Sequence, residues 1–245
     1  PGQPLADAFA FGSNLAYNTY AIDGDTITNL YDSPLPYQSP VDQRHTINAA
    51  GRLNTTSLFY GANYLDKLYL GMSVGIIGTR LEQRTVHREA VVDPNVEIKD
   101  LTYEERLLTT GSGVDLKFGV IARVGPRLRV GGSFHSPMWL RLSDAYSYHM
   151  STHFRTPDDQ GGYAYDADSP DGTYSYRVRT PWRGGLSAAY VAGKNGVVSV
   201  DYQYSDDRQS KIRSVRDFVD TYDFASENQA IRDVFQGTHD LRVGT

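Results

Sequence analysis

The feature that most constrains this sequence is an alternation of apolar and polar residues with a period of two. In the clearest run, alternate positions are Leu68, Leu70, Met72, Val74 and Ile76, and the positions between them hold only Tyr, Gly and Ser. Successive side chains of a β-strand point to opposite faces of a sheet, so this period predicts strands with one apolar face. Two such runs joined by a short turn predict an antiparallel hairpin.

Three hairpins of this kind follow one another along the chain. They comprise residues 57–76, 114–135 and 177–204, with turns at 65–67, 125–127 and 193–196. Long polar segments lie between and after them and are predicted to be loops, at 79–110, 137–174 and 205–238. Ser226 and Gln229 resemble a capping box, which predicts a short helix at 225–234 in the last of these loops.

We therefore expect one domain over residues 1–245. Residues 1–50 are predicted to be mostly loop with one short helix, and residues 51–245 to hold the three hairpins and the beginning of a further strand at 241–245. The start of the chain lacks a signal-peptide pattern and the last alternating run stops early, so we expect the sequence to be part of a longer protein.

The charged residues inside the predicted strands share the face opposite the apolar one. They are Asp115, Lys117, Arg123, Arg129, Arg177, Arg179, Arg183 and Asp201. A soluble β-sandwich shows the same alternation, with its apolar face inward. Three features favour a membrane barrel instead: the polar face is rich in Gly and Ser, the strands are long enough to cross hydrocarbon, and aromatic residues cluster at the strand ends.

Composition excludes several function classes. The net charge of -5 provides no basic field for nucleic acid. The absence of cysteine excludes disulfides and thiolate chemistry. No apolar run approaches the length of a membrane-spanning helix. This does not exclude a β-barrel, because only every second residue of a barrel strand must be apolar.

Several segments resemble the FadL/TodX-type outer-membrane transport proteins, most closely their Bacteroidetes branch. These segments are residues 67–76, 109–120 and 174–183, together with 171–172 and 226–244. The resemblance implies an all-β fold: an antiparallel transmembrane β-barrel, commonly of fourteen strands, with short periplasmic turns and long extracellular loops. It also implies an N-terminal hatch, which is not visible in this sequence.

The function implied by the resemblance is passive uptake of hydrophobic small molecules, such as long-chain fatty acids or aromatic hydrocarbons, across the outer membrane of a Gram-negative bacterium. We expect no catalysis and no cofactor. The expected partners are outer-membrane lipid and a hydrophobic ligand. Two alternatives stay open: a structural barrel subunit of an outer-membrane assembly or secretion complex, which would bind other envelope proteins, and a soluble β-sandwich binding domain.

Candidate lumen-lining or ligand-binding residues come from the polar face. They are Lys117, Arg123, Arg129, His135, Arg177, Arg179, Arg183 and Asp201. We predict that the basic ladder of Arg177, Arg179 and Arg183 pairs with strand carboxylates or binds the carboxylate of a fatty acid. Pro181 cannot donate a ladder hydrogen bond, so a bulge or kink is expected there, and in a barrel wall such a kink is a candidate lateral exit.

Other chemistry is disfavoured by its context. His149 and His153 have a spacing that suits a metal on a helix, but they fall in a predicted loop. Acidic residues in the same loop lack the EF-hand calcium pattern; they are Asp158, Asp159, Asp166, Asp168 and Asp171. His135 lies near Ser133 and Ser136 without a nucleophile-elbow motif, so no esterase site is predicted.

Overall fold

The computed structural model of the protein describes residues 9–25, 30–157, 161–193, 196–215 and 222–245. It is mostly antiparallel β-sheet, as the alternation predicts. The strands are β1 (Asp23–Asp25), β2 (Leu30–Asp32), β3 (Val41–Tyr64), β4 (Leu68–Val91), β5 (Ile98–Arg123), β6 (Leu128–His135), β7 (Trp139–Phe154), β8 (Ala164–Asp168), β9 (Gly172–Arg179), β10 (Arg183–Ala192), β11 (Gly196–Asp206), β12 (Lys211–Ser214) and β13 (Gly237–Gly244). The α-helices are α1 (Ser13–Asn18) and α2 (Ala225–Val234), and a short 3-10 helix covers Asp207–Gln209.

One eleven-stranded sheet contains every strand except β1 and β2, which pair with each other. Its main path runs β12, β9, β7, β5, β6, β10, β11, β13, while β4 pairs with β3 and β5, and β8 pairs with β7. Over the described residues, β3 has only β4 as a neighbour and β13 has only β11. The sheet therefore has free edges at these two strands.

The predicted hairpin turns agree with the structure where it describes them. Leu65 and Asp66 both have positive φ, and the Asn63 side chain accepts a hydrogen bond from the Asp66 amide at 3.0 Å. Asn and Asp favour such turns because their side chains bond to nearby backbone. At the third turn Gly193 has φ +68°, while residues 194 and 195 lie outside the described part of the chain.

The predicted long loops are wrong for the most part, because the strands continue through them. β3 begins at Val41, within the segment predicted to be loop, and β4 extends to Val91. β5 begins at Ile98, and β7 fills Trp139–Phe154. These extensions carry polar residues on both faces, so hydrophobic periodicity does not mark them, and cross-strand polar contacts supplement the small apolar clusters there.

The helix predicted near the C-terminal end is confirmed as α2, but the predicted capping box is not. Ser226 donates to the neighbouring Glu227 carboxylate at 3.0 Å, and no side chain caps the helix start at Phe224. Asn228 instead binds the edge of β12, because its amide accepts from Ile212 N–H and donates to Ile212 C=O, both at 2.8 Å. This side chain takes the place of a further strand at that edge.

The chain divides into two compact units. Unit 1 comprises Pro1–Gly51, Leu81–Thr109 and Asp144–Tyr174, and unit 2 comprises Arg52–Arg80, Thr110–Ser143 and Ser175–Thr245. Unit 1 contains two small apolar clusters, built around Leu15, Ala21 and Met150 and around Val91, Val96 and Ile98. Unit 2 differs, because Ile77, Val215 and Pro137 are its only buried apolar side chains among the described residues.

Candidate functional site

Unit 2 exposes most of its large apolar side chains on one face of the sheet. We call this surface the apolar face; it consists of Leu70, Met72, Val74, Ile76, Val114, Phe118, Val120, Leu128, Val130, Phe134, Leu186, Tyr190, Val198, Val200, Tyr202, Leu241 and Val243, all of them exposed. Strand registers place neighbouring members side by side, as for Phe118 with Phe134 and Tyr202 with Leu241. The face is therefore one continuous surface that the fold leaves uncovered.

The apolar face has defined ends. On β4 its alternate positions are apolar from Leu68 to Ile76, a run of roughly 26 Å at about 3.3 Å per residue. The next two such positions are Gly78 and Arg80. On β5 the corresponding change occurs between Val114 and Ser112. Both strands thus become polar on this face at the end away from the short turns.

Aromatic rings mark the same end of the apolar face. Trp182 contacts Phe134 with ring centroids 6.0 Å apart and Tyr204 at 5.8 Å, and Tyr204 contacts His239 at 5.0 Å. Tyr190 lies at the opposite end, near the turn between β10 and β11. The aromatic residues that the sequence places at strand ends therefore border the apolar surface.

The opposite surface of unit 2 is polar and built from small residues. We call it the polar face. Its cavity of about 620 Å³ is lined partly by Gly119, Gly131, Ser133, Gly185, Ser187, Asp201, Gln203, Asp240 and Arg242. Because Gly and Ser leave little side-chain volume, this face has room for a bound molecule.

Three predicted residues meet in one row on the polar face. In the strand registers Lys117 lies opposite His135, and His135 lies opposite Arg183. We call Lys117, His135 and Arg183 the basic row. Its neighbour Asp115 is 7% exposed and makes an ion pair with Lys117, with Oδ2 and Nζ 3.3 Å apart.

The second oxygen of Asp115, Oδ1, is buried and has no hydrogen-bond partner among the described residues. It lies beside Gly75, where an added Cβ would be only 2.1 Å away. A buried carboxylate oxygen without a partner carries a desolvation cost. Gly75 provides the space that the carboxylate needs.

The remaining predicted residues of the polar face lie nearer its turn end. Arg123 lies opposite Arg129, and its guanidinium donates to the Asp66 carbonyl at 3.2 Å. Asp201 lies between Ser187 on one side and Arg242 on the other. The structure thus brings Lys117, Arg123, Arg129, His135, Arg183 and Asp201 to one face, as the alternation predicts.

Arg177 and Arg179 require a correction, because they are not on the polar face. A Cβ added at Gly113 would meet the side chain of Leu140 on β7, so Leu140 lies on the same face of the sheet as Gly113 and Asp115. The alternate positions of β7, which are Trp139, Arg141 and Ser143, therefore lie on the other face. Ser175 donates to the Ser143 hydroxyl at 3.2 Å. Arg177 and Arg179 alternate with Ser175 and therefore lie on the side of the apolar face.

Two prolines explain why the ladder with Arg183 breaks. The Thr180 amide donates to the Met138 carbonyl at 3.1 Å, a register that places Pro181 opposite Pro137. Neither proline can donate a ladder hydrogen bond. The strand predicted to be continuous is accordingly interrupted between Arg179 and Arg183, and the alternation resumes on the other face. The sequence shows both prolines, but it does not show that they lie opposite each other on neighbouring strands.

The charged side chains of unit 1 include several close pairs. The Glu104 carboxylate accepts from Arg84 at 2.7 and 2.5 Å and from Arg106 at 2.6 Å, and hydrogen bonding to Arg84 lowers the pKa of Glu104 to about 2. His153 contacts Asp100 at 2.9 Å and His149 contacts Asp168 at 2.8 Å, so the two histidines have separate carboxylates.

No cluster of metal ligands is present among the described residues. Asp158 and Asp159 lie outside them, and Asp166 and Asp168 belong to β8 rather than to a loop. Within the described ranges, no helix has the length and apolarity needed to span a membrane. Comparison with protein families, curated proteins and solved structures gave no match to this chain.

Proposed function

We propose that unit 2 is a segment of an outer-membrane β-barrel wall, and that the protein is a passive channel for hydrophobic small molecules. The apolar face supports this proposal most strongly. In a soluble sandwich the apolar positions of each strand would be buried against a second sheet. In unit 2 they are exposed, and no second sheet covers them within the described part of the chain; some of them line a cavity of about 610 Å³, while the Gly- and Ser-rich positions of the same strands line one of about 620 Å³.

The dimensions of the apolar face support the same proposal. The run from Leu68 to Ile76 comprises nine residues, which is within the roughly 9–11 residues that a tilted barrel strand needs to cross the hydrocarbon. The contacts among Phe134, Trp182 and Tyr204 resemble the aromatic girdle at a lipid–water interface. Charge appears on this face only beyond that level, at positions such as Arg80.

On this proposal the polar face lines the lumen, and the basic row gives it specificity. Lys117, His135 and Arg183 form a line of donors across three strands. The two cations of this row, Lys117 and Arg183, bind the carboxylate of an amphipathic molecule, such as a fatty acid, while the Gly- and Ser-rich surface leaves space for its chain. The resemblance to FadL/TodX-type proteins supports a hydrophobic substrate, and transport would be driven only by the substrate gradient.

The test is uptake by the purified full-length protein that contains this chain, in lipid vesicles that enclose a fluorescent fatty-acid-binding reporter. We expect uptake above that of empty vesicles and a reduction when Lys117, His135 and Arg183 are all replaced by Gln. Replacement of Lys67 and Arg127 by Gln, in the short turns and away from the basic row, is the matched control and should preserve uptake. A chain that remains monodisperse without detergent and does not insert would refute the proposal. Insertion without uptake, together with stoichiometric co-purification of another envelope protein, would favour the structural-subunit alternative.

A further inference from the structure

Four basic side chains form a compact array on β9 and β12. The register of these strands places Arg179 opposite Lys211 and Arg177 opposite Arg213. Directly opposed residues of an antiparallel pair are about 5 Å apart, and like charges at that separation destabilise the pair. We call Arg177, Arg179, Lys211 and Arg213 the basic quartet. Two opposed like-charge pairs in succession need a compensating negative charge.

The described part of the chain does not supply that charge. None of the four side chains makes an ion pair with a described residue, and all four are exposed. Asp223 is the acidic residue among those lining the adjacent cavity of about 1070 Å³. Among the described residues, the cavity that the basic quartet lines therefore has more basic side chains than acidic ones.

The position of the basic quartet indicates the kind of anion. Arg177 and Arg179 lie on the side of the apolar face, as the Ser175–Ser143 contact shows. The Thr180–Met138 register places Arg179 beside Trp139 and Arg177 beside Arg141. A tryptophan and five basic residues thus form two rows at the end of the apolar face that is away from the short turns.

We propose that the basic quartet binds the phosphate groups of an anionic lipid whose acyl chains lie against the apolar face. This inference rests on the proposed membrane function, because it requires lipid around unit 2. Phosphate suits the site because its oxygens accept several charge-assisted hydrogen bonds, and Arg presents a fork of donors that matches them. With the short turns on the periplasmic side, as the resemblance implies, the basic quartet lies in the outer leaflet, whose anionic lipid is lipid A.

The test measures incorporation of the purified chain into bicelles of phosphatidylcholine alone, of phosphatidylcholine with lipid A, and of phosphatidylcholine with dephosphorylated lipid A. We expect wild-type protein to bind lipid A preferentially, and the preference to weaken with salt. Replacement of all four residues by Gln should reduce the lipid A affinity by about 10³-fold, since each basic residue near an anionic surface contributes about 1 kcal/mol. Dephosphorylated lipid A should bind wild type and variant equally.

The control variant replaces Lys67, Arg123, Arg127 and Arg129 by Gln, which changes net charge equally at the turn end. It should retain the lipid A preference. Equal loss in both variants, or equal binding of the two lipid A forms, would overturn the inference. Displacement of lipid A by inorganic phosphate at equimolar amounts would also overturn it, because free phosphate would then be the ligand. Incorporation into phosphatidylcholine alone depends only on the apolar face. Failure of the proposed membrane function would therefore be distinguished from failure of the lipid A proposal.

Discussion

Leu186 provides the sharpest test of what surrounds the apolar face. Its side chain is 68% exposed, and it lies four positions from both Trp182 and Tyr190, which border the face at opposite ends. At about 3.3 Å per residue it is roughly 13 Å from each border along the strand. If lipid covers this face, Leu186 is at the middle of the hydrocarbon.

The two possible environments predict different free energies for replacing Leu186. In lipid, Leu186→Arg should destabilise the folded protein by about 2–4 kcal/mol relative to Leu186→Ala, the cost of a basic residue at the bilayer midplane of a barrel. Leu186→Ala itself should cost about 1–2 kcal/mol, the exposed share of the 1.5–3 kcal/mol for burying a leucine. In water, either change at so exposed a position should stay within about 0.5 kcal/mol.

The assay is urea-induced unfolding from phospholipid vesicles, followed by fluorescence of the two tryptophans. Ala192 is the matched control, because its side chain lies on the same face of β10 as Leu186 but at the end near the turn. There Ala192→Arg should lower the free energy of unfolding by only about 0–1 kcal/mol. Equal stability of the Leu186→Arg and Leu186→Ala proteins would refute a lipid-facing surface. So would a cost at Ala192 as large as that at Leu186, because depth would then have no effect.

Three further predictions concern individual contacts. Gly75→Ala should lower stability by about 1–3 kcal/mol, because its Cβ would lie 2.1 Å from Asp115 Oδ1, and Gly75→Ala combined with Asp115→Ala should recover most of the loss in urea unfolding. Glu104→Gln should destabilise the protein above pH 4.5, and the difference from wild type should vanish as the pH falls through about 2, since pairing with Arg84 lowers the pKa of Glu104 in the folded state from 4.5 to about 2. Thermal unfolding across this pH range measures the effect, and a difference that persists at the lowest pH would contradict it. Asn228→Ala should cost about 1–3 kcal/mol by leaving backbone groups of β12 without partners, and faster hydrogen exchange confined to β12 and α2 would show it.

Sequence reasoning found the strands whose two faces differ in polarity. The hairpins around 65–67 and 125–127 were predictable because apolar and small residues alternate there without interruption. The extensions of β4 and β5 were not, because Arg84 and Glu104 stabilise the sheet through a cross-strand ion pair, which leaves no hydrophobic period to detect. A polar strand and a polar loop have the same composition, and only pairing distinguishes them.

The candidate site shows the same division. The basic row could be predicted only in part. Alternation placed Lys117 and His135 on one face, but the strand register that brings Arg183 next to them depends on long-range pairing. Arg177 and Arg179 were assigned to the wrong face because alternation was extrapolated across Pro181. Lys211 and Arg213 were missed because β12 is short and lies in a segment predicted to be loop; their only local signal is the alternation Lys-Ile-Arg.

The scarcity of buried apolar residues in unit 2 has a consequence for how such a protein is made. Within the described residues, Ile77, Val215 and Pro137 are the buried apolar side chains of this unit, so it gains little from excluding water from its own interior. On the proposed function, its native state depends on lipid that the newly made chain has not yet reached. Delivery must then precede folding, and the chain needs a holding chaperone during its passage through water, because its apolar strands would otherwise associate with one another.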